Sequence, residues 1–292
     1  MTEGTQPDTA AILDPLRPRL VRVAYCMLGS VADAEDAVQE AFIRWMKAER
    51  GDVREPEAFL RRTVTRLCLD QLKSARHQRE TYLGPWLPDP VVEEAEEADD
   101  VTLPLMLALE RLSPLQRAAF LLHDVFDFGY GELATILRRS EAACRQLTAR
   151  AREHVRAAQP RFELPADGGA RILQAFLEAA QSGDARHLAA LLTDNVALHT
   201  DGGGRRRAAL RVILGRDRVA RGITGIMRKF AQPVVAQCPA RIGGLPGIIT
   251  RYADGGLQTA ALQLTEGRIS AIYVVTNPEK LQHLVQAQIL PE

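Results

Sequence analysis

The sequence is poor in the features that mark secreted, membrane-spanning or metal-binding chains. Its four cysteines are far apart in 292 residues, and none forms a CxxC pair. Three of them fall on or beside apolar helix faces, so small core residues in a reducing compartment are favoured over disulfides or a metal site. No apolar run approaches the roughly twenty residues that a bilayer-spanning helix needs, and the first ten residues lack a signal-peptide core. These absences predict a cytoplasmic protein with no metal, no cofactor and no membrane partner.

Net charge is also lacking, because 37 lysines and arginines balance 37 aspartates and glutamates. A zero sum argues against a chain that binds nucleic acid through overall positive charge, but it leaves room for local basic surfaces. What is present is an ordinary globular composition, with 46% hydrophobic and 25% charged residues. The length suits two or three domains.

The most informative segment is YGELATILRRSEAACRQLTARAREHV, from Tyr130 to Val155. Its apolar residues recur at steps of three and four on either side of Arg138-Arg139, which predicts two helices joined by a tight turn. Ser140 suits the N-cap of the second helix. The residues opposite the apolar face of that helix are Arg145, Gln146, Ala149 and Arg150. In a helix-turn-helix such residues contact base edges in the major groove, and a solvated helical hairpin is the alternative on this segment alone.

Upstream, the sequence predicts an all-helical domain with one acidic and one basic helix. The acidic helix has an apolar stripe that includes Phe42 and Trp45, and its opposite face carries Asp36, Gln39 and Glu40. A long helix from about Glu57 to Arg76 is basic on its outer face. Its candidate DNA-contacting residues, one of them in the preceding loop, are Arg54, Arg61, Arg62, Arg66 and Lys73. The basic face suits a nucleic-acid backbone, with an ordinary solvated surface as the alternative.

The two helical regions are joined by YLGPWLPDPVVEEAEEADD, from Tyr82 to Asp100. Three prolines and a glycine exclude a regular helix in its first half. Seven acids from Asp89 to Asp100 predict a solvated tether in its second half. Because flexible linkers seldom hold Tyr82, Trp86 and Leu87 so close together, docking against another domain is favoured over a spacer that packs its aromatics locally.

Beyond a second linker the pattern changes to helices followed by strands. Helices are predicted at Arg171 to Gln181, His187 to Leu192 and Arg216 to Phe230, and strands at Asn195 to His199, Pro233 to Cys238, Gly247 to Tyr252, Leu257 to Leu264 and Arg268 to Val275. Asn277-Pro278 predicts a capped final helix. This order favours an α+β domain with a curved antiparallel sheet.

The chain contains DAEDAVQEAFIRWMKA, AFLRRTVTRLCLDQLKSARHQRE and LERLSPLQRAAFLLHDVFDFGYGELATILRRSEAACRQLTARAR in that order. Together these segments resemble the extracytoplasmic-function sigma factors of the sigma-70 family. YLGPWLPDP, TDGGGRRRAA and NPEKL are similar to the subgroup with a SnoaL-like C-terminal extension. The resemblance implies two all-α DNA-binding domains, sigma region 2 and the helix-turn-helix of sigma region 4, followed by a cone-shaped α+β domain. The expected boundaries are 10–80 for region 2, 81–102 for the linker, 103–159 for region 4, 160–169 for a second linker and 170–292 for the SnoaL-like domain.

The resemblance also implies partners. The acidic face of region 2, with Phe42 and Trp45 behind it, would contact the β′ clamp of core RNA polymerase, and the β flap of core polymerase is a second expected partner. The loop from Arg50 to Pro56 and the helix after it would bind a flipped minus-ten base and the melted strand, while the helix-turn-helix would bind the minus-thirty-five duplex. The chain is therefore expected to direct promoter-specific transcription initiation and not to act as an enzyme.

The C-terminal extension is expected to act as a built-in regulator that contacts the linker and region 2. The candidate residues for that contact are Tyr82, Pro85, Trp86, Leu87, Pro88, Asn277, Pro278, Glu279, Lys280 and Leu281. On local grounds, NPEKL is equally well explained as an ordinary helix start.

Two other function classes stay open. One is a DNA-binding regulator that never joins polymerase, which the acidic helix with Phe42 and Trp45 disfavours. The other is an isomerase-like or small-molecule-binding pocket fused to a DNA-binding module, with an unidentified small ligand. Its polar candidates are His199, Asp201, Tyr252 and Tyr273. No paired acid–base constellation stands out among them, so a ligand-sensing or structural pocket is favoured over an enzyme.

Overall fold

In this computed structural model, the residues described are 13–48, 55–80, 82–93, 101–158, 168–230 and 232–287. The chain folds into two compact units. The first combines Met1–Glu80 with Leu109–Val155, and the second combines Thr81–Ala108 with Arg156–Glu292. The two N-terminal helical regions therefore share one unit, while the linker between them belongs to the unit of the C-terminal region.

The order of elements agrees with helical regions followed by an α+β region. The helices are α1 (Arg17–Leu28), α2 (Val31–Lys47), α3 (Pro56–Glu80), α4 (Leu103–Leu109), α5 (Pro114–Phe120), α6 (Tyr130–Leu137), α7 (Glu141–Ala158), α8 (Gly168–Ser182), α9 (Ala185–Ala190), α10 (Arg216–Phe230) and α11 (Gln282–Gln286). The strands are β1 (Val92–Glu93), β2 (Leu192–Asp201), β3 (Ile213–Leu214), β4 (Val234–Ile242), β5 (Leu245–Tyr252), β6 (Leu257–Thr265) and β7 (Arg268–Val275). A π-helical turn, Leu121–Val125, extends α5, and a 3₁₀ turn, Pro278–Leu281, precedes α11.

Local capping explains where the helices of the first unit begin and end. Helix α1 ends at Gly29, whose φ of 73° is the left-handed conformation that glycine adopts without steric cost. Helix α5 begins with a capping box between Ser113 and Gln116. Helix α7 begins after Ser140, whose Oγ accepts a hydrogen bond from the backbone N–H three residues later. The predicted pair of helices is confirmed, with Arg138 in the left-handed turn between them.

A buried arginine joins α1 and α5 inside the first unit. Arg117 is 2% exposed, and its Nη2 donates to the carbonyl oxygen of Cys26 at 2.9 Å. This carbonyl lies in the last turn of α1, where helix carbonyls commonly accept hydrogen bonds from groups outside the helix. Glu110 completes an ion pair with Arg117. Burial lowers the pKa of Arg117 to about 10, which leaves the guanidinium charged at neutral pH.

The second unit is built on one seven-stranded sheet in the order β1-β4-β5-β6-β7-β2-β3. Successive residues along a strand face opposite sides, so Ile248 and Ile249 belong to two different cores. One core lies under helices α8 to α10. The other is closed by Leu87 from the linker and Leu281 from the C-terminal end. The linker is therefore part of the hydrophobic core of this unit.

The α+β architecture is confirmed, but the expectation of a wholly antiparallel sheet is wrong. Strand β2 pairs with β7 in parallel, with Leu198 opposite Ile272. The alternation of apolar residues identifies strands and their faces, but it does not say which strands are neighbours. Because β3, α10 and three further strands separate β2 from β7 along the chain, the connection is long enough for a parallel pair.

The linker contributes a short strand that sequence analysis does not predict. Strand β1 pairs with the edge of β4, and Glu93 accepts hydrogen bonds from Arg241 and from the backbone N–H of Gly244. Two residues are too few for an alternating pattern to be visible. Most of the predicted acidic tether, residues 94–100, lies outside the described residues.

Replacing Arg117 with methionine should destabilise the protein by about 2–4 kcal/mol, because Glu110 and the Cys26 carbonyl lose a buried donor. Chemical denaturation followed by circular dichroism measures the change. The matched control is Arg111→Met, since Arg111 is exposed, and its replacement should cost less than about 0.5 kcal/mol. Equal effects of the two substitutions would contradict the structural role assigned to Arg117.

Candidate functional site

Helix α7 has one buried side and one exposed side. Its buried residues are Cys144, Thr148, Ala151 and Val155, which recur every three or four positions. The four residues predicted to contact duplex DNA are all exposed on the other side: Arg145, Gln146, Ala149 and Arg150. The helix-turn-helix therefore presents a polar surface whose orientation follows from helical periodicity.

Two neighbours hold Arg145 in place. Its Nη2 lies 3.1 Å from Glu141 Oε2, and its guanidinium carbon lies 4.8 Å from the centre of the Tyr130 ring. The arginine side chain is still 57% exposed. A side chain that is already oriented loses less conformational freedom when it binds a partner, so Arg145 is prepared for a contact.

The candidate DNA-contacting residues of α3 do not all face the same environment. Lys73 is exposed and pairs with Asp70 at 2.7 Å. Arg62 is partly buried, and its guanidinium lies 5.8 Å from the centre of the Phe59 ring. Arg54, in the preceding loop, lies outside the described residues.

Arg61 and Arg66 contact the first helix of the helix-turn-helix. Arg66 donates to two carbonyl oxygens in the last turn of α6, at 3.0 and 3.2 Å, where helix carbonyls lack intrahelical partners. Arg61 lies 2.8 Å from Glu132 Oε1, and its guanidinium lies 4.5 Å from the centre of the Phe128 ring. Sequence reasoning missed this contact, because a basic face alone does not distinguish phosphates from protein acceptors.

The acidic face of α2 is only partly a surface feature. Asp36 and Gln39 are exposed, and Glu40 is partly exposed and pairs with an arginine one turn further along at 2.7 Å. Phe42 is partly buried. Trp45 is 7% exposed, so its ring belongs to the core and supports the helix from inside.

The residues predicted in the linker and in NPEKL meet around one buried carboxylate. Asp201, at the end of β2, accepts four hydrogen bonds. Its Oδ1 accepts from the Tyr82 hydroxyl at 2.6 Å and the Gly203 N–H at 3.1 Å. Its Oδ2 accepts from the Leu87 N–H and from Lys280, both at 2.9 Å. Because the carboxylate is 0% exposed, these four donors offset its loss of hydration.

Lys280 connects the linker to the C-terminal segment. Its ammonium group donates to Asp201 and to the carbonyl oxygen of Leu87. It also lies 4.2 Å from the Trp86 ring and 5.2 Å from the Tyr82 ring. A cation removed from water against aromatic faces is attracted more strongly than one at the surface. We call this group the Asp201 cluster; its members are Tyr82, Trp86, Leu87, Asp201, Asn277 and Lys280.

Asn277 and the glycine-rich turn fit closely together. Asn277 Oδ1 accepts from the Glu279 N–H at 3.1 Å, and its Nδ2 donates to the Tyr82 hydroxyl at 3.0 Å. Gly203 has a φ of 58°, and a Cβ there would lie 2.2 Å from Asn277 Nδ2. A side chain at this position would therefore collide with Asn277, and only glycine fits. Burial and the hydrogen bond to Asp201 raise the pKa of Tyr82, so its hydroxyl remains a donor.

The remaining predicted contact residues differ in exposure. Pro88 and Leu281 are buried, Pro85 is partly exposed, and Pro278 and Glu279 are exposed. Glu279 pairs with Arg205 at 3.0 Å. Buried residues are thus found both in the linker and in NPEKL, and the two exposed residues, Pro278 and Glu279, directly follow Asn277.

Three of the four polar residues considered for catalysis have structural partners. Asp201 belongs to the cluster just described. His199 stacks on Tyr273 with 5.1 Å between ring centres, and Tyr273 donates its hydroxyl to Gln263 at 2.6 Å. Burial raises the pKa of Tyr252 and of Tyr273.

The described part of the chain holds neither a metal-binding cluster nor a membrane-spanning helix. Among those residues, no group of three or more His, Cys, Asp or Glu is placed to hold a metal ion. No described helix combines the length and apolar character needed to cross a membrane.

Two stretches of the chain match families of known description. Residues 12–78 match Sigma-70 region 2, and residues 102–155 match Sigma-70, region 4. The second stretch includes the helix-turn-helix of α6 and α7 with its exposed arginines. These matches define the class: a transcription factor of the sigma-70 type.

Relatives that match nearly the whole chain narrow this class. The ECF RNA polymerase sigma factor SigJ of Mycobacterium tuberculosis is 37% identical over 287 residues, covering 91% of this chain and 91% of its own length. The probable ECF RNA polymerase sigma factor SigI of that species is 33% identical over 277 residues, covering 92% and 93%. The crystal structure of SigJ has a TM-score of 0.74 at 32% identity, covering 94% of this chain and 98% of that one. The chain belongs to the extracytoplasmic-function sigma factors, and it is an RNA polymerase sigma factor for promoter-specific transcription initiation.

Replacing Lys280 with methionine should free the linker, because Asp201 and the Leu87 carbonyl lose a buried charged donor at a cost of about 2–4 kcal/mol. Chymotrypsin should then cleave the linker of the full-length protein more than about tenfold faster, since the locally open state becomes more populated. Lys229→Met, which removes an exposed lysine of the same unit, should leave the cleavage rate unchanged. If Lys280→Met were also cleaved at the wild-type rate, the cluster would not be what holds the linker.

Proposed function

We propose that the exposed face of α7 binds the minus-thirty-five duplex and that α3 with its preceding loop binds the melted minus-ten strand. The observation that carries the proposal is the set of four exposed residues on α7, with Arg145 already oriented by Glu141 and Tyr130. Arginine and glutamine donate paired hydrogen bonds to base edges in the major groove, which a helix can enter. In the minus-ten contact, Arg62 and Lys73 bind the backbone of the open strand together with Arg54.

The polymerase contacts form a second part of the proposal. Asp36, Gln39 and Glu40 on α2 bind the β′ clamp, with Phe42 and Trp45 supporting that face, while region 4 binds the β flap. The exposure of Asp36 and Gln39 supports this assignment. The protein acts in the cytoplasm, where core polymerase is found. A regulator that never joins polymerase would have no use for this acidic face, and co-purification with core polymerase separates the two functions.

The C-terminal unit acts as a regulator and not as an enzyme. Its best-placed carboxylate, Asp201, already accepts four hydrogen bonds, so it has no lone pair left for a general base. We assign to the Asp201 cluster the task of controlling the linker that joins region 2 to region 4. Contact of the C-terminal unit with region 2 is part of the same proposal. Turnover of a small molecule that depends on Asp201 or His199 would favour the enzyme alternative.

The first unit adds a closed state to this regulation. Arg61 and Arg66 contact α6, so the same guanidinium groups are not available to a DNA strand while that contact lasts. Binding of the open strand therefore requires region 2 and the helix-turn-helix to separate. Polymerase, which binds both regions, supplies the free energy for this separation.

Run-off transcription of genomic fragments with purified core polymerase tests the assignment of α7. Arg145→Ala combined with Arg150→Ala should reduce specific transcripts by at least about tenfold, since each base contact is worth about 1–3 kcal/mol. Arg156→Ala, an exposed arginine in the last turn of the same helix, is the matched control and should retain most of the output. Equal output from all three proteins would refute the assignment.

Weakening the closed contact should increase DNA binding in the absence of polymerase. Glu132→Ala removes the acid paired with Arg61, and a partly exposed ion pair of this kind contributes up to about 1 kcal/mol. Binding of a single-stranded oligonucleotide, measured by fluorescence anisotropy, should therefore tighten by about two- to fivefold. Glu35→Ala removes an equal charge from the exposed side of α2 and should have a smaller effect. An equal gain in both variants would mean that charge alone, and not opening, changes the affinity.

A further inference from the structure

The C-terminal unit carries a strongly basic segment that the functions proposed above do not use. From Arg205 to Lys229, eight arginines and one lysine are accompanied by a single acid, Asp217. The whole chain has a net charge of zero. The segment is therefore a local concentration of positive charge and not a consequence of composition.

Four of these cations form one stripe along α10. Arg218, Arg221, Arg228 and Lys229 are all exposed. Their spacing places them within about 100° around the helix axis and over about 16 Å along it. The opposite side of α10 packs into the core through Val219 and Ala220. The helix thus has one side fixed in the fold and one exposed side on which four cations lie beside a single acid, Asp217.

Acids within the unit do not neutralise this stripe. Three other arginines of the segment pair with carboxylates, namely Arg205, Arg206 and Arg216. Among the residues that the structure describes, the four cations of the stripe form no such pair, and Arg221 donates to the backbone carbonyl oxygen of Asp217. Because no carboxylate of the described residues forms an ion pair with these four side chains, they are available to an anionic partner.

The loop before α10 adds a fifth cation at one end of the stripe. The Arg207 guanidinium lies 4.4 Å from the centre of the Phe230 ring, and the Lys229 ammonium group lies 5.4 Å from the same ring. Arg207 is exposed, and Phe230 is 43% exposed. The Phe230 ring therefore places the guanidinium of Arg207 close to Lys229, at the C-terminal end of α10.

Gly225, in the middle of the stripe, is a second and independent observation. A Cβ at this position would meet no atom within 4 Å. Glycine destabilises the interior of a helix relative to alanine, and here packing within the described residues gives no reason for it. Its effect is to leave the backbone bare between Arg221 and Arg228, so that an extended partner can approach the helix closely.

We propose that this surface, consisting of Arg207, Arg218, Arg221, Arg228 and Lys229, binds the phosphate backbone of duplex promoter DNA. The proposal rests on the sigma-factor function and adds a contact outside regions 2 and 4. A row of cations on an exposed helix matches the regularly spaced charges of a duplex. Such a contact adds affinity without sequence preference, because phosphates carry no base information.

The test compares two full-length variants altered at the same three positions. Arg218→Gln, Arg221→Gln and Arg228→Gln together remove three charges, while Arg218→Lys, Arg221→Lys and Arg228→Lys together keep them. The three residue types have similar helix propensities, so both variants should fold like the wild type, which circular dichroism checks. The affinity of the wild type and of each variant is measured for two duplexes, a promoter fragment selected by run-off transcription and a scrambled sequence. Each measurement is repeated between about 50 and 200 mM salt.

The glutamine variant should bind both duplexes at least about tenfold more weakly at about 100 mM salt. The plot of log K against log salt concentration should become shallower, its negative slope decreasing in magnitude by about 2 to 3, because each lost phosphate contact removes about 0.9. The lysine variant should keep both the affinity and the slope. An unchanged slope in the glutamine variant overturns the proposal. Weaker binding to core polymerase without DNA, with DNA affinity intact, also overturns it and assigns the surface to an acidic protein partner.

A further arm separates this proposal from the assignment of α7. Arg145→Ala with Arg150→Ala, measured in the same assay, should abolish the preference for promoter over scrambled duplex. If that preference is lost while the glutamine variant behaves like the wild type, the contact by α10 is refuted and the assignment of α7 stands. If both variants behave like the wild type, both assignments are refuted.

Discussion

The arrangement of the second unit depends on the hydration that the Asp201 carboxylate loses. A carboxylate with 0% exposure must be surrounded by donors, and here they come from the linker, from the turn after β2 and from Lys280 near the C-terminal end. Loss of any one of these partners leaves a buried charge undercompensated, which costs more than an exposed contact would. The three segments are therefore bound to one another more specifically than the apolar core alone would require, and the linker is an integral part of the C-terminal unit.

The linker also joins region 2 to region 4 in sequence, and this is the reason for the regulatory role that we propose for the Asp201 cluster. Under the regulation proposed above, a weaker hold on the linker would let the two DNA-binding regions separate more freely. The contacts of Arg61 and Arg66 with α6 act on the same step, because they use basic side chains that also suit a DNA strand. Both sets of contacts are electrostatic, and their partners are partly or fully buried.

Several features of the site could be predicted because they depend on residues close in sequence. The exposed face of α7 follows from a period of 3.6 residues, and the starts of α5 and α7 follow from Ser113 and Ser140. The destinations of Arg61 and Arg66 could not be predicted, since a guanidinium binds phosphate, carboxylate and carbonyl oxygen alike. The role of Asp201 was equally hidden, because its partners Tyr82 and Lys280 are more than seventy residues away on either side.

The sequence by itself determined the family, the order of helical and α+β regions and the exposed side of α7, because motifs, caps and periodicity are local properties of the chain. Only the tertiary structure decided that β2 runs parallel to β7, that Val92 and Glu93 add a strand to the sheet, and that one buried carboxylate gathers the linker and the C-terminal segment. These outcomes depend on which distant groups meet, and that is set by the packing of a whole hydrophobic core and by the need to satisfy every charge buried within it.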